Sequence, residues 1–146
     1  MANIFETHGV KYESKAPEVK KVMTELERAA LKEVAKFLRK EIKARVPVDE
    51  GVLKKNVGSW VKKKDASLQL GTYTRERAKR KKYPYAYHAH LVEFGTVKTK
   101  AQSFLRDAVM ENIDQIRLIE GNYLKEIEDE NRARGLIQED EEIADD

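Results

Sequence analysis

Residues 83–96 read YPYAYHAHLVEFGT. Four of these fourteen residues are aromatic, Tyr83, Tyr85, Tyr87 and Phe94, and Leu91 and Val92 add aliphatic surface. This is the densest apolar packet in a chain that is 38% charged. Pro84 near its start and Gly95 near its end mark changes of chain direction. Glu93 interrupts the apolar run, and a carboxylate there is costly unless it is paired or stays wet. The packet is expected to form a central layer with helices packed on it from both sides. Its first half, through Ala89, is expected to add a strand, and its second half to be a short helix or irregular chain.

Moving outward, both flanks carry helical periodicity. From Pro17 to about Arg45, the residues Val19, Val22, Leu26, Ala30, Val34, Phe37 or Leu38, and Ile42 recur at steps of three and four, giving one apolar stripe with charges elsewhere. Pro17 suits a first turn and Ser14 a cap before it. Pro47 ends the helix by pushing Val46 out of helical geometry. On the other side, a polar link (VKTKAQS, 97–103) leads to a second stripe of Leu105, Val109, Ile113, Ile116, Tyr123 and Ile127, with Glu120 in the one gap. Ser103 is the expected N-cap, with Asp107 early in the helix where it favours the dipole. Gly121 marks a place for a bend or an end.

Between the first long helix and the packet lies Val46-Pro47-Val48-Asp49-Glu50-Gly51-Val52-Leu53. Proline sets a turn there, and Asp49 is placed to cap a short helix over 51–57. Residues 59–63 and 67–73 then read as two strands joined through Lys64-Asp65-Ala66, with Trp60 as a core residue. Residues 74–82, TRERAKRKK, hold six Lys or Arg in nine positions and read as an exposed, mobile loop. The predicted fold class is α+β, two long helices packed on a small, mainly antiparallel sheet, with Leu26, Phe37, Leu38, Phe94 and Leu105 buried together. The expected organisation is an N-terminal arm over 1–16, one domain over 17–134 and an acidic, disordered tail over 135–146.

At 146 residues, one core is expected. The chain has no cysteine, which excludes disulfides, thiolate metal sites and a cysteine nucleophile. No apolar run approaches membrane-spanning length and the start lacks a signal-peptide pattern, so a soluble intracellular protein is expected. The net charge of +3 hides an asymmetry. Residues 54–100 hold thirteen Lys or Arg against three acids, whereas 120–146 hold eleven acids against three bases. Such a division suits a polyanion partner or contact between copies of the chain, or simply two solvated faces. No phosphate-binding glycine loop or dinucleotide fingerprint is present. His88 and His90 are spaced to share a strand face, but no third metal ligand follows at diagnostic spacing. A His–Glu93 acid–base pair lacks a second catalytic feature. Neither cofactor, metal nor enzymatic activity is expected. The basic loop beside tyrosines is compatible with phosphate contact and base stacking, without sequence readout.

Three pieces in order carry a resemblance. They are the turn through Pro47, Asp49, Gly51 and Leu53; the stretch from Tyr87 through Glu93-Phe94-Gly95-Thr96; and Ala101-Gln102-Ser103-Phe104-Leu105-Arg106-Asp107-Ala108. Together, over about residues 20–115, they resemble the small HK97-type tail-component family of tailed phages. Its pattern is a long helix, a P-x-D-T-G-x-L turn, strands, a Y…EFGT packet and a P-F-L-x-x-A helix start. Glu50 stands where the family favours Thr, and Ser103 where it favours Pro. The resemblance implies a non-enzymatic virion protein of the neck or tail, made in the host cytoplasm. Its expected role is tail completion, as a tail terminator or head–tail joining subunit, in a ring commonly of six copies. Partners would be like subunits and other neck and tail proteins. The basic residues Arg75, Arg77, Lys79, Arg80, Lys81 and Lys82 are the expected interface, through protein contact more than DNA. A basic nucleic-acid-binding module is the alternative.

Overall fold

The computed structural model describes residues 3–7, 9–47 and 51–133. The acidic segment 135–146 and the turn residue Asp49, with its expected capping role, lie outside the described residues. A hairpin opens the chain, β1 (Asn3–Thr7) with β2 (Val10–Ser14), antiparallel and pairing Phe5 opposite Tyr12. Helix α1 (Ala16–Arg45) follows. Pro17 lies in its first turn and Glu18 complements the dipole there, while Lys43 and Arg45 do so in the last turn. Ser14 does not cap α1 across its first turn; its Oγ accepts only the Ala16 N–H, at 3.4 Å. Val46, before Pro47, is extended (φ −61°, ψ 125°), so the helix stops where the proline predicts.

Short helix α2 (Val52–Asn56) starts from Gly51, whose φ of 73° is the left-handed conformation that glycine adopts freely. It runs directly into β3 (Val57–Val61), which pairs antiparallel with β4 (Leu68–Thr72). Then come α3 (Arg75–Arg80), α4 (Ala89–Phe94), α5 (Phe104–Met110) and α6 (Ile113–Ala133). The fold is α+β, with two long helices, four short ones and two-stranded antiparallel sheets among the described residues.

Of the two long helices, α1 makes the main packing on the β3–β4 ribbon, and α6 packs along α1 instead. The expected second long helix divides, because the chain turns at Glu111–Asn112. There Asn112 Nδ2 donates to Ala108 O at 2.8 Å, and Arg45 bonds both Glu41 and Glu111. Gly121 makes no break, and α6 continues through it. Along the seam the Tyr123 hydroxyl donates to Glu33 Oε2 at 2.7 Å, and an open groove of about 290 Å³ is lined by Met23, Leu31, Tyr123, Leu124 and Ile127.

The core gathers at the C-terminal end of α1, where Ile42 and Val46 meet Leu53, Val57, Ala86, Ala89, Phe104 and Ala108. Of the five expected core residues, Leu38 is buried and Leu26, Phe37 and Leu105 are half-buried. Phe94 is 80% exposed, a correction: the packet does not form the central layer. Its small residues turn inward, Ala86 and Ala89, with Val92 and Glu93 at helical spacing behind them, while its large ones turn out. Its first half adds no strand.

Candidate assembly surface

The basic stretch 74–82 is built around helix α3 (Arg75–Arg80) and is not a loop. Thr74 is extended at the N-cap and its Oγ1 accepts the Arg77 N–H at 3.4 Å, with Glu76 in the first turn. Ala78 is fully buried and pins the helix to the body. At the other end Lys82 takes a left-handed conformation (φ 57°), with Lys82 N donating to Lys79 O and Tyr83 N to Ala78 O. This is the paired bonding of a Schellman motif, with lysine where glycine is usual. Like-charge repulsion is offset by these caps and by aromatic rings. The Arg77 guanidinium sits 5.3 Å from the Trp60 ring centre and 5.4 Å from that of Tyr73. Lys81 Nζ lies 5.2 Å from the Tyr73 ring, which stacks on Tyr83. Arg77 is therefore half-buried, whereas Arg75, Lys79, Arg80, Lys81 and Lys82 are exposed. Trp60, expected in the core, is half-buried beneath Arg77 and donates from Nε1 to Gln69 Oε1.

The chain then passes over α2. Asn56, fully buried, donates from Nδ2 to Val52 O at 2.8 Å and to Pro84 O at 2.7 Å, clamping the packet to the short helix. Pro47, Gly51 and Leu53 face Pro84, Tyr85 and Tyr87 across a cleft of about 400 Å³. Tyr87, Leu91 and Phe94 follow at steps of four and three on one side of α4 and its lead-in. They are 70%, 41% and 80% exposed, with Val97 fully exposed just beyond. His88 is the N-cap position of α4 and His90 lies inside it, so the two do not share a strand face. No group of three metal-ligating side chains occurs among the described residues.

Glu93 is buried, and its carboxylate receives the start of α5: Oε2 accepts Leu105 N–H at 2.9 Å and Oε1 accepts Arg106 N–H at 3.1 Å. Ser103 occupies the N-cap position without a side-chain cap, its Oγ donating to Glu93 O instead. A carboxylate at a helix N-terminus is stabilised by both the free N–H groups and the dipole. The turn that brings the two together needs Gly95 at φ 77°, ψ −179°. A Cβ there would lie 2.6 Å from Ala101 N and 2.9 Å from Thr99 O. Thr96 closes the following loop, its Oγ1 accepting the Thr99 N–H at 3.0 Å. Phe104, next in sequence, is 1% exposed in the core. The E-F-G-T stretch and the F-L pair thus form one structural joint, and its Phe points outward from it.

Asn56 is not singled out by the sequence, which marks Arg45 only as a helix end and Tyr123 only as part of an apolar stripe. Asn56 has no periodic signal; its role depends on the Pro84 carbonyl, 28 residues away.

A family model described as "Bacteriophage HK97-gp10, putative tail-component" matches residues 12–95. That span contains the proline turn and the E-F-G motif and ends before the α5 start. Searches of curated proteins and of solved structures returned no significant match.

Proposed function

Since the chain belongs to the HK97-gp10-like family of phage tail components, we propose that it is a tail-completion subunit of the virion neck or tail that assembles into a ring. The observation that carries this is the outward row of Tyr87, Leu91, Phe94 and Val97, held on the rigid joint of Glu93 with α5. An isolated protein has little reason to fix exposed aromatic and aliphatic surface on a capped frame, whereas an assembling one needs it. The basic helix α3 lies directly before this row in the chain and adds charge that selects an acidic partner surface. Contact between like copies in a ring is heterologous, so this row meets a different surface of the neighbour. The role is structural rather than enzymatic, with other neck and tail proteins as further partners. Assembly would take place in the host cytoplasm before incorporation into the virion. No helix among the described residues is long and apolar enough to cross a membrane.

The test is Phe94→Ser. The ring is expected to be lost in sedimentation and electron microscopy while the melting temperature stays within ~2 °C, since an exposed side chain contributes little to the fold. Rings of normal size from this variant would refute the assignment of the surface.

A further inference from the structure

A second cluster of basic residues lies on α1. Lys36, Arg39, Lys40 and Lys43 fall at i, i+3, i+4 and i+7 on α1, so they form one stripe of that helix. With Lys54 of α2 they line a groove of about 480 Å³. Among the described residues none of the five makes an ion pair. Arg39 Nε is buried and donates to nothing, although a buried guanidinium N–H normally finds an acceptor. Four cations on one stripe without counter-charges repel one another, so the groove is built for a strip of carboxylates or phosphates.

The chain itself supplies such a strip. Residues 139–146, EDEEIADD, hold six acids and no base. We infer that this acidic segment of one copy occupies the α1 groove of the neighbouring copy. The source is set by reach. Arg45 meets Glu111 before α6 and Glu33 meets Tyr123 within it, so α6 runs antiparallel to α1 and ends at Ala133 about 15 Å nearer the start of α1. Lys40 lies about 10 Å the other way, which puts the groove roughly 25 Å behind the end of α6 along the helix axis. Glu139 is only six residues past Ala133, a reach of about 20 Å at full extension. Within one copy, the chain would have to double back fully extended, with Glu139 reaching only Lys36 at the near end of the groove and Lys40 met only from about residue 141 onward. In a head-to-tail arrangement the end of α6 points away from its own groove and toward the next copy, and all six acids can engage. This contact rests on the proposed ring for its geometry, but it is a different surface from the Phe94 row.

The absence of native cysteine makes the test direct. Full chains carrying Lys40→Cys and Glu142→Cys are mixed and oxidised. A disulfide-linked pair of unlike chains is expected when oxidation is carried out at 0.1 M salt and not when it is carried out at 0.5 M, because the contact that brings the cysteines together is between charges that salt screens. A chain with Lys36, Arg39, Lys40 and Lys43 changed to Glu should lose assembly. Mixed with a chain ending at residue 134, it should form one-to-one pairs only, because each partner keeps one half of the contact. A chain carrying both cysteines that closes the disulfide within itself at high dilution would overturn the inference. So would random-sequence duplex DNA binding that is abolished by the fourfold variant, with no crosslink to the tail. Rings that persist without residues 135–146 leave the ring standing and sink this contact; crosslinked pairs without rings support the contact and sink the ring.

Discussion

Replacing Glu93 by alanine tests the joint on which the surface stands. The carboxylate is 8% exposed and accepts two backbone N–H groups, at 2.9 and 3.1 Å, from the first turn of α5. Loss of an N-cap acceptor costs about 0.5–2 kcal/mol, and a hydrogen bond to a charged group contributes about 1.5–3 kcal/mol. The two bonds share one side chain and one helix end, so they do not add fully. A total near 3 kcal/mol is expected, of which part is the desolvation of the two N–H groups left unpaired. For a chain of this size 1 kcal/mol moves the midpoint by roughly 3 °C, so Glu93→Ala should melt about 10 °C lower. Glu93→Gln keeps an oxygen and loses the charge, and should fall roughly half as far. Thermal unfolding followed by circular dichroism measures both. Hydrogen exchange at Leu105 and Arg106 should accelerate more than elsewhere. An alanine variant melting within ~2 °C of the parent, with those amides still protected, refutes the joint.

Two further outcomes follow from the geometry. Gly95→Ala must place a Cβ against the backbone of Thr99 and Ala101 in a conformation almost restricted to glycine. It should destabilise by ~3 kcal/mol or more, against ~1 kcal/mol for Gly51→Ala, where φ is 73° but the space is open; paired melts decide it. The hydrogen bond to Glu33, followed by burial, raises the Tyr123 phenol above its ordinary value of 10.0. Its contribution is therefore complete below pH 10 and is lost as pH rises through the raised value. Stability measured from pH 8 to 11 should fall more steeply in the parent than in Tyr123→Phe; parallel curves would remove the seam bond from consideration.

Helix boundaries set by proline and by stripes of apolar residues were legible, because both are local. Val46 is extended because Pro47 follows it, and Val22, Ala30, Val34, Leu38 and Ile42 are buried because they share one face of α1. In residues 83–96 side-chain size is no guide to depth: at the end of α1 the core already holds Ile42, Val46, Leu53, Val57 and Phe104, and the packet adds only Ala86 and Ala89 to it, leaving the tyrosines outside. The basic stretch was read as a mobile loop because its charges repel. Ala78, which pins the stretch to the body, carries no periodic signal, and the rings beneath Arg77 come from Trp60 of β3 and from Tyr73, just past the end of β4. The joint of Glu93 with α5 needs a partner twelve residues away that offers only backbone N–H groups, and no side-chain pattern announces it. The cations of the α1 stripe were present at helical spacing all along. Their grouping with Lys54 required the fold.

The one-sided placement of the core makes the molecule thermodynamically uneven. Phe104, Ile42, Val57 and their neighbours clamp one end of α1, while the longer remainder of that helix is covered mainly by α6 across a seam that keeps an open groove. The α1–α6 pair beyond the clamp is thus expected to open at lower free energy than the clamp, with amide exchange falling into two tiers divided near Glu33. Ala133, the last residue of α6, lies in that tier, and residues 134–146 follow it in sequence. If the proposed contact between copies forms, binding at residues 134–146 should raise the amide protection of the α1–α6 pair, a helix pair far from the joint.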